Sequence, residues 1–283
     1  MPKPRPRPQA RGLAAGLREM RNEAKLPMQW VADQLGWSQS TVSRIEAGKR
    51  VVTPEEVAAL LATYRVTGER RDRLIAMARD ADRPGWLETR RHTGIPLQAS
   101  MLAQYETEAS RLVSVDLLVV AGLLQTRAYS SALMRAGGIA PAEVEPRLSL
   151  RMQRQRILEA AVPPQLTAIL DEAALRRPQG GPRVMAEQLE HLLAMARRPH
   201  IELRVIPFDH GGHAAIAGSY MLLEFATAGP LVHLGNRSAT VFLDEPEDVA
   251  IYLDTTAHLR AVALEHEPSV RFVAAVADEY RRG

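Results

Sequence analysis

Cysteine is absent from the 283 residues. That excludes disulfides, thiol nucleophiles, thiolate zinc sites and cysteine-held iron–sulfur clusters together, and it fits a reducing, cytoplasmic setting. Aromatic residues make up only 5%, so aliphatic side chains must build the core. Lysine is nearly missing: beyond Lys3, Lys25 and Lys49, every basic residue is arginine. Long apolar runs are missing as well. The longest, residues 117–124, falls far short of the ~20 residues needed to span a bilayer, so no membrane association is expected. The N-terminus alternates Pro with basic residues and lacks the apolar stretch of a secretory signal.

What is present is ordinary globular material, 46% hydrophobic and 24% charged, long enough for one large domain or two ordinary ones. Charge is unevenly placed. Residues 1–92 hold 18 Lys and Arg against 11 Asp and Glu, a balance of +7, while residues 93–283 hold 18 against 22, a balance of −4. Basic charge gathered on one module suits a polyanion such as nucleic acid.

The pattern along the chain divides it into four parts. Residues 1–10 read as a disordered basic arm, 11–81 as an all-α domain of short helices, 82–99 as a linker rich in Pro and Gly, and 100–283 as an α+β domain. In the first domain Leu13, Leu17 and Met20 fall at helical spacing, as do Val31, Ala32 and Leu35, then Val42 and Ile45, then Val57, Leu60 and Leu61. Thr53-Pro54-Glu55-Glu56 spells an N-cap, a first-turn proline and first-turn acids. Beyond the linker, helices are expected at 126–136, 141–161, 182–197, 246–265 and 268–282. Strands are expected at 114–120, 165–170, 201–206, 220–225, 231–234 and 239–243, the last three paired antiparallel.

The stretch 26–50, LPMQWVADQLGWSQSTVSRIEAGKR, carries the most information. A helix, a short turn containing Gly36 and a second helix capped by Ser38 make a helix-turn-helix. With Val42 and Ile45 inward, Gln39, Ser40, Thr41, Ser43 and Arg44 face outward. These side chains suit base edges in a major groove: Arg pairs bidentately with guanine, Gln with adenine. A solvated helix face more often carries Glu and Lys, and here no acid precedes Glu46.

Residues 11–79 thus resemble the lambda-repressor-like, or XRE-type, helix-turn-helix family. The resemblance rests on Leu26, Val31-Ala32, Leu35-Gly36, Ser38, Thr41-Val42-Ser43-Arg44-Ile45-Glu46 and Gly48. It implies that Gln39, Ser40 and Arg44 read bases and that Thr41, Ser43, Lys49 and Arg50 lie nearer the phosphates. It also implies a structural ion pair between Arg21 and Glu46. The family places a cap residue and a phosphate-contacting Gln at the start of its second helix. Pro27 and Met28 stand there instead, and Gln29 is the nearest amide.

The rest of the chain is similar to the actinobacterial two-domain regulators of the Scr1/WhiJ type. The residues concerned are Ala121-Gly122-Leu123-Leu124-Gln125-Thr126, Arg151 with Arg154-Gln155-Arg156-Ile157-Leu158, Leu170 through Arg176, Gln188-Leu189, Val205-Ile206-Pro207-Phe208 and Gly211-Gly212-His213. The resemblance implies a transcription regulator of development or secondary metabolism, often encoded beside a small acidic protein that binds it.

Little in the second domain suggests chemistry. Asp171 and Glu172 are adjacent and would point apart on a strand. His210 and His213 form a weak metal pattern without a third ligand. Ser219 lacks a nucleophile elbow, and no phosphate loop or dinucleotide fingerprint occurs. Arg147, Arg151 and Arg154 form a basic helical stripe that would dock an acidic partner or an anion, or be a solvated face. With Asp171, Glu172 and His213 they are the candidate ligand or partner residues. The expectation is a sequence-specific DNA-binding regulator with no enzymatic activity, no cofactor and no metal, binding double-stranded DNA as a homodimer. A protein-interaction module, one half of a neutralising pair, is the alternative, and an enzyme fused to a DNA-binding domain is the third reading.

Overall fold

The computed structural model describes residues 8–79, 86–89, 97–226, 228–235 and 239–282. The first seven residues of the expected arm and much of the expected linker lie outside them. The chain folds as two units.

The first unit begins with α1 (Pro8–Glu23), α2 (Met28–Leu35), α3 (Gln39–Glu46), α4 (Pro54–Thr63) and α5 (Glu69–Arg79). Helix α1 starts inside the stretch expected to be an arm. A proline in the first turn costs no hydrogen bond, because the N–H it lacks would have no helical partner. The apolar stripes are inward as the spacing requires: Leu13, Leu17, Val31, Ala32, Val42, Ile45, Val57, Leu60 and Leu61 are all buried. Thr53 closes a capping box on α4, its hydroxyl accepting from Glu56 N and the Glu56 carboxylate accepting from Thr53 N.

The expected linker holds more structure than its composition suggests. Residues Trp86–Thr89 form strand β1, and helix α6 (Leu97–Glu108) begins at Leu97. Strand β1 pairs antiparallel with the last strand, β7 (Ala239–Leu243), in the register Trp86↔Phe242 to Thr89↔Ala239. This pair and the residues of α6 up to Gln104 group with the first unit. Strand pairing is a backbone event between distant segments and leaves no mark in local composition. Gly12 of α1 lies so close to the Met101 side chain that a Cβ would collide with it.

The second unit is α+β. Strands β2 (Arg111–Asp116), β3 (Gln165–Asp171), β4 (Ile201–Ile206), β5 (Tyr220–Glu224) and β6 (Leu231–Gly235) lie in the order β6-β5-β2-β3-β4. The β2–β3 and β3–β4 pairs are parallel, and β2–β5 and β5–β6 are antiparallel. Parallel neighbours need long crossovers. Helices α7 (Arg127–Ala136) and α8 (Pro141–Gln155) supply the first, and α9 (Glu172–Arg176) and α10 (Pro182–Ala196) the second. Helices α11 (Pro246–Val262) and α12 (His266–Arg282) follow the sheet. The edge of β4 is covered: Leu203 N donates to His266 Nδ1 at 3.1 Å, Val205 N to Ser269 Oγ at 2.9 Å, and Leu264 N to the Val205 carbonyl at 2.8 Å. An edge so occupied offers no template for a stray strand.

The first strand of this sheet ends at Asp116, four residues before the expected end at residue 120. The apolar run beyond it is a loop and a short 3-10 turn, Gly122–Leu124. Buried loops must have their backbone groups met, and four side chains do this. Gln125 Nε2 donates to the Val120 carbonyl, Gln155 Nε2 to the Gly122 and Gln125 carbonyls, and Gln188 Nε2 to the Leu124 carbonyl, while Tyr129 Oη accepts from Val120 N. Among the described residues no helix is long and apolar enough to cross a membrane.

Candidate nucleic-acid interface

Helix α2 ends at Gly36, whose φ of +66° is the left-handed conformation open to glycine at little cost. The turn is closed by Trp37 N donating to the Ala32 carbonyl at 2.9 Å. Ser38 then caps α3, its Oγ accepting from Thr41 N at 3.1 Å. Val42, Ile45 and Glu46 of α3 are buried, which leaves Gln39, Ser40, Ser43 and Arg44 exposed on one face. Gly48, at φ +61°, ends the motif, and Lys49 N donates to the Arg44 carbonyl at 2.8 Å.

The outward side chains divide by what they already hold. Gln39, Ser43 and Lys49 make no side-chain hydrogen bond among the described residues, so their donors face solvent uncommitted. Ser40 Oγ and Thr41 Oγ1 each lie 2.9 Å from Ser38 Oγ, and Thr41 is half-buried. Arg44 Nε rests on the Ser40 carbonyl at 3.2 Å, leaving its two terminal amino groups outward. Two residues expected near phosphates are committed elsewhere. Arg50 donates to Glu56 at 2.6 Å, and Gln29 donates to Asp33 at 2.8 Å.

Behind this face Arg21 of α1 meets Glu46 of α3. Arg21 Nε donates to the two carboxylate oxygens at 2.8 and 3.0 Å, and a terminal amino group adds a third bond at 2.9 Å. The other amino group donates to the Leu26 carbonyl at 2.8 Å. Tyr64, which follows α4, donates its hydroxyl to Glu46 at 3.1 Å. Sequence reasoning missed Tyr64, since nothing in local spacing aims a tyrosine at a residue 18 positions back. The hydrogen bonds from Arg21 to Glu46 raise the arginine pKa further. Burial, then the neighbouring Glu46 charge, raises that of Tyr64. The triad ties α3 to α1 and to the residue that ends α4.

Among the candidate residues of the second unit, the arginines of α8 are placed differently from a solvent-facing stripe, while Asp171 and Glu172 make the N-cap and the Arg176 ion pair. Arg147, Arg151 and Arg154 form no solvent-facing stripe. Arg154 is buried against Glu106 of α6, with hydrogen bonds of 2.8 and 2.6 Å. Arg151 donates to Gln125, and burial, then the Arg154 charge, lowers its pKa to about 10. Arg147 pairs with Glu143 one turn back. Helix α8 turns Arg151 and Arg154 toward Gln125 and Glu106, which periodicity alone does not distinguish from a face turned outward. Asp171 caps α9 through Ala173 N at 2.7 Å and also bonds His213 Nε2 at 3.1 Å. Glu172 accepts from Phe208 N at 2.8 Å and from Arg176. The structure therefore brings Asp171 and His213 together, while Glu172 anchors the loop after β4. Among the described residues no three His, Asp or Glu side chains are placed to share a metal ion.

A helix pair joined by a glycine-ended turn, with a capped second helix braced from behind, defines a helix-turn-helix domain, the element of DNA-binding regulators. A family model described as a helix-turn-helix domain matches residues 13–74. Residues 99–275 match the model of a domain of unknown function, DUF5753, and the chain belongs to that family. A search of curated proteins and a search of solved structures found no match.

Proposed function

We propose that the chain is a sequence-specific transcription regulator of the lambda-repressor-like, XRE type. In this reading it acts in the cytoplasm as a homodimer and has no catalytic role. Helix α3 enters the major groove, with Gln39, Ser40 and Arg44 at base edges and Ser43 and Lys49 toward phosphates. The single observation that carries this reading is the outward face of α3. It presents an amide, hydroxyls and a guanidinium with no acid among them, and each of its acidic neighbours is held elsewhere.

One such helix covers a half-site, and a two-fold dimer would set two of them one turn of DNA apart. The second unit then dimerises and receives a signal from a small acidic protein or a small ligand, as its resemblance to the Scr1/WhiJ-type regulators suggests. The test is Arg44→Ala, measured by affinity on the operator and on operators with single base-pair changes. Discrimination at one base pair should fall by ~1–3 kcal/mol. Equal weakening on every sequence would sink base readout by Arg44.

A further inference from the structure

A cleft of about 600 Å³ opens in the second unit at the amino ends of β3 and β4, within the range of small-molecule sites, ~300–1,000 Å³. Arg197, Arg198 and His200, after α10, line one part of it. Arg260 of α11, His266 of α12 and Arg111 of β2 line the rest. We propose that this cleft binds a small multivalent oxyanion, a molecule carrying two or more carboxylate or phosphate groups.

Some charged groups in the cleft are already committed to protein partners and others are not. Two acids line it, Glu202 and Glu267. Glu202 is neutralised in place: it accepts from Arg204 Nε at 2.7 Å, from Arg260 at 2.6 Å and from Thr167 Oγ1 at 2.9 Å. Burial works against its charge, yet these hydrogen bonds and the two arginine charges hold its pKa below the usual carboxylate value. Glu267 is exposed, in the first turn of α12.

Arg260 is committed to Glu202, and His200 Nε2 lies 3.1 Å from the Leu158 carbonyl; the remaining cations are held more loosely. The Arg197 side chain has no ion pair or hydrogen bond among the described residues. Arg198 Nη1 donates to the Leu158 carbonyl at 3.1 Å, and its guanidinium lies 3.7 Å from Glu159, while Arg111 lies 3.4 Å from Glu224, both ion pairs being between groups about a third or more exposed. Such pairs contribute little and exchange readily for a better acceptor. His266 Nδ1 accepts from Leu203 N, which places its proton on Nε2, so the free side of the ring is a donor. Guanidinium forks match carboxylate and phosphate oxygens bidentately. Donors on separate elements favour a ligand that carries more than one anionic group.

This deepens the sensing role proposed above and rests on that reading only for its regulatory consequence. The experiment is calorimetric titration of the full-length chain, without DNA, with citrate in one arm and pyrophosphate in the other. At least one probe should bind with one site per chain and weaken as salt rises. The double variant Arg197→Ala/Arg198→Ala should bind about tenfold more weakly, and Glu267→Gln more tightly. Arg44→Ala, a surface change on α3, should bind as the parent does. Circular dichroism would show that each variant keeps its fold. Binding of citrate alone assigns the cleft to carboxylates, and of pyrophosphate alone to phosphates. The proposal fails if neither probe binds, if the arginine pair has no effect, or if Arg44→Ala abolishes binding. Because no DNA is present, such a failure leaves operator recognition untouched.

Discussion

The Arg21 guanidinium keeps its charge in the interior because Glu46 meets it, and Tyr64 completes the carboxylate's shell. Removing one partner of a buried pair strands the other. Glu46→Ala should therefore cost about 3–5 kcal/mol of stability by denaturant unfolding, with DNA affinity falling through lost fold. Asp116 gives a pH-dependent case. Burial raises its carboxyl from 3.8 to about 7, against the opposing effects of the Ser114 hydrogen bond and the Arg151 charge. From pH 3.8 to 7 the unfolded chain ionises while the folded one keeps its proton, so stability falls over that window and levels off above it. Asp116→Asn should remove this slope and be more stable than the parent at pH 8 but not at pH 4. The gain is on the order of 2 kcal/mol, since one pH unit corresponds to about 1.4 kcal/mol and solvent reaching this half-buried group reduces the full effect. Thermal unfolding at the two pH values would measure it.

Among the elements, those of the first unit were legible because their signals are local. Caps, a left-handed glycine and the 3.6-residue period of Leu13, Leu17, Val31, Val42 and Ile45 all lie within one or two turns of what they specify. What was not legible depends on distant chain. Strand β1 exists through its pairing with β7, some 150 residues on. The run 117–124 reads as strand by hydrophobicity, yet it is a loop because Gln125, Gln155 and Gln188 meet its carbonyls. Arg154 of α8 reads as outward because its ion-pair partner, Glu106, is 48 residues away. Two expectations follow at this scale. Thr53→Ala should cost about 0.5–2 kcal/mol by opening the capping box of α4, read by thermal unfolding. Ser269→Ala should leave Val205 N–H without its acceptor on the covered edge of β4. It should cost about 1–3 kcal/mol and speed hydrogen exchange at that amide.

At the scale of the molecule, the charge asymmetry read from composition follows the division of labour. The basic first third holds the helix-turn-helix domain matched at residues 13–74, and the acidic remainder holds the DUF5753 domain matched at residues 99–275. If the proposed dimer forms, footprinting on an operator should show two protected half-sites centred ~34–36 Å apart. Sedimentation of the complex should give two chains per duplex. One chain per duplex would remove the dimer from the reading while leaving the Arg44 test in force.

The brace of Arg21, Glu46 and Tyr64 separates two duties that many proteins load onto the same residues. Val42, Ile45 and Glu46, which tie α3 to its neighbours, face inward, and positions 39, 40, 43 and 44 have no part in that brace. Those four positions are consequently free to drift under selection for new binding sequences without endangering the scaffold. Descendants of a duplicated gene would keep the same trio beneath the helix and diverge above it, and their target promoters would part company before their architecture did.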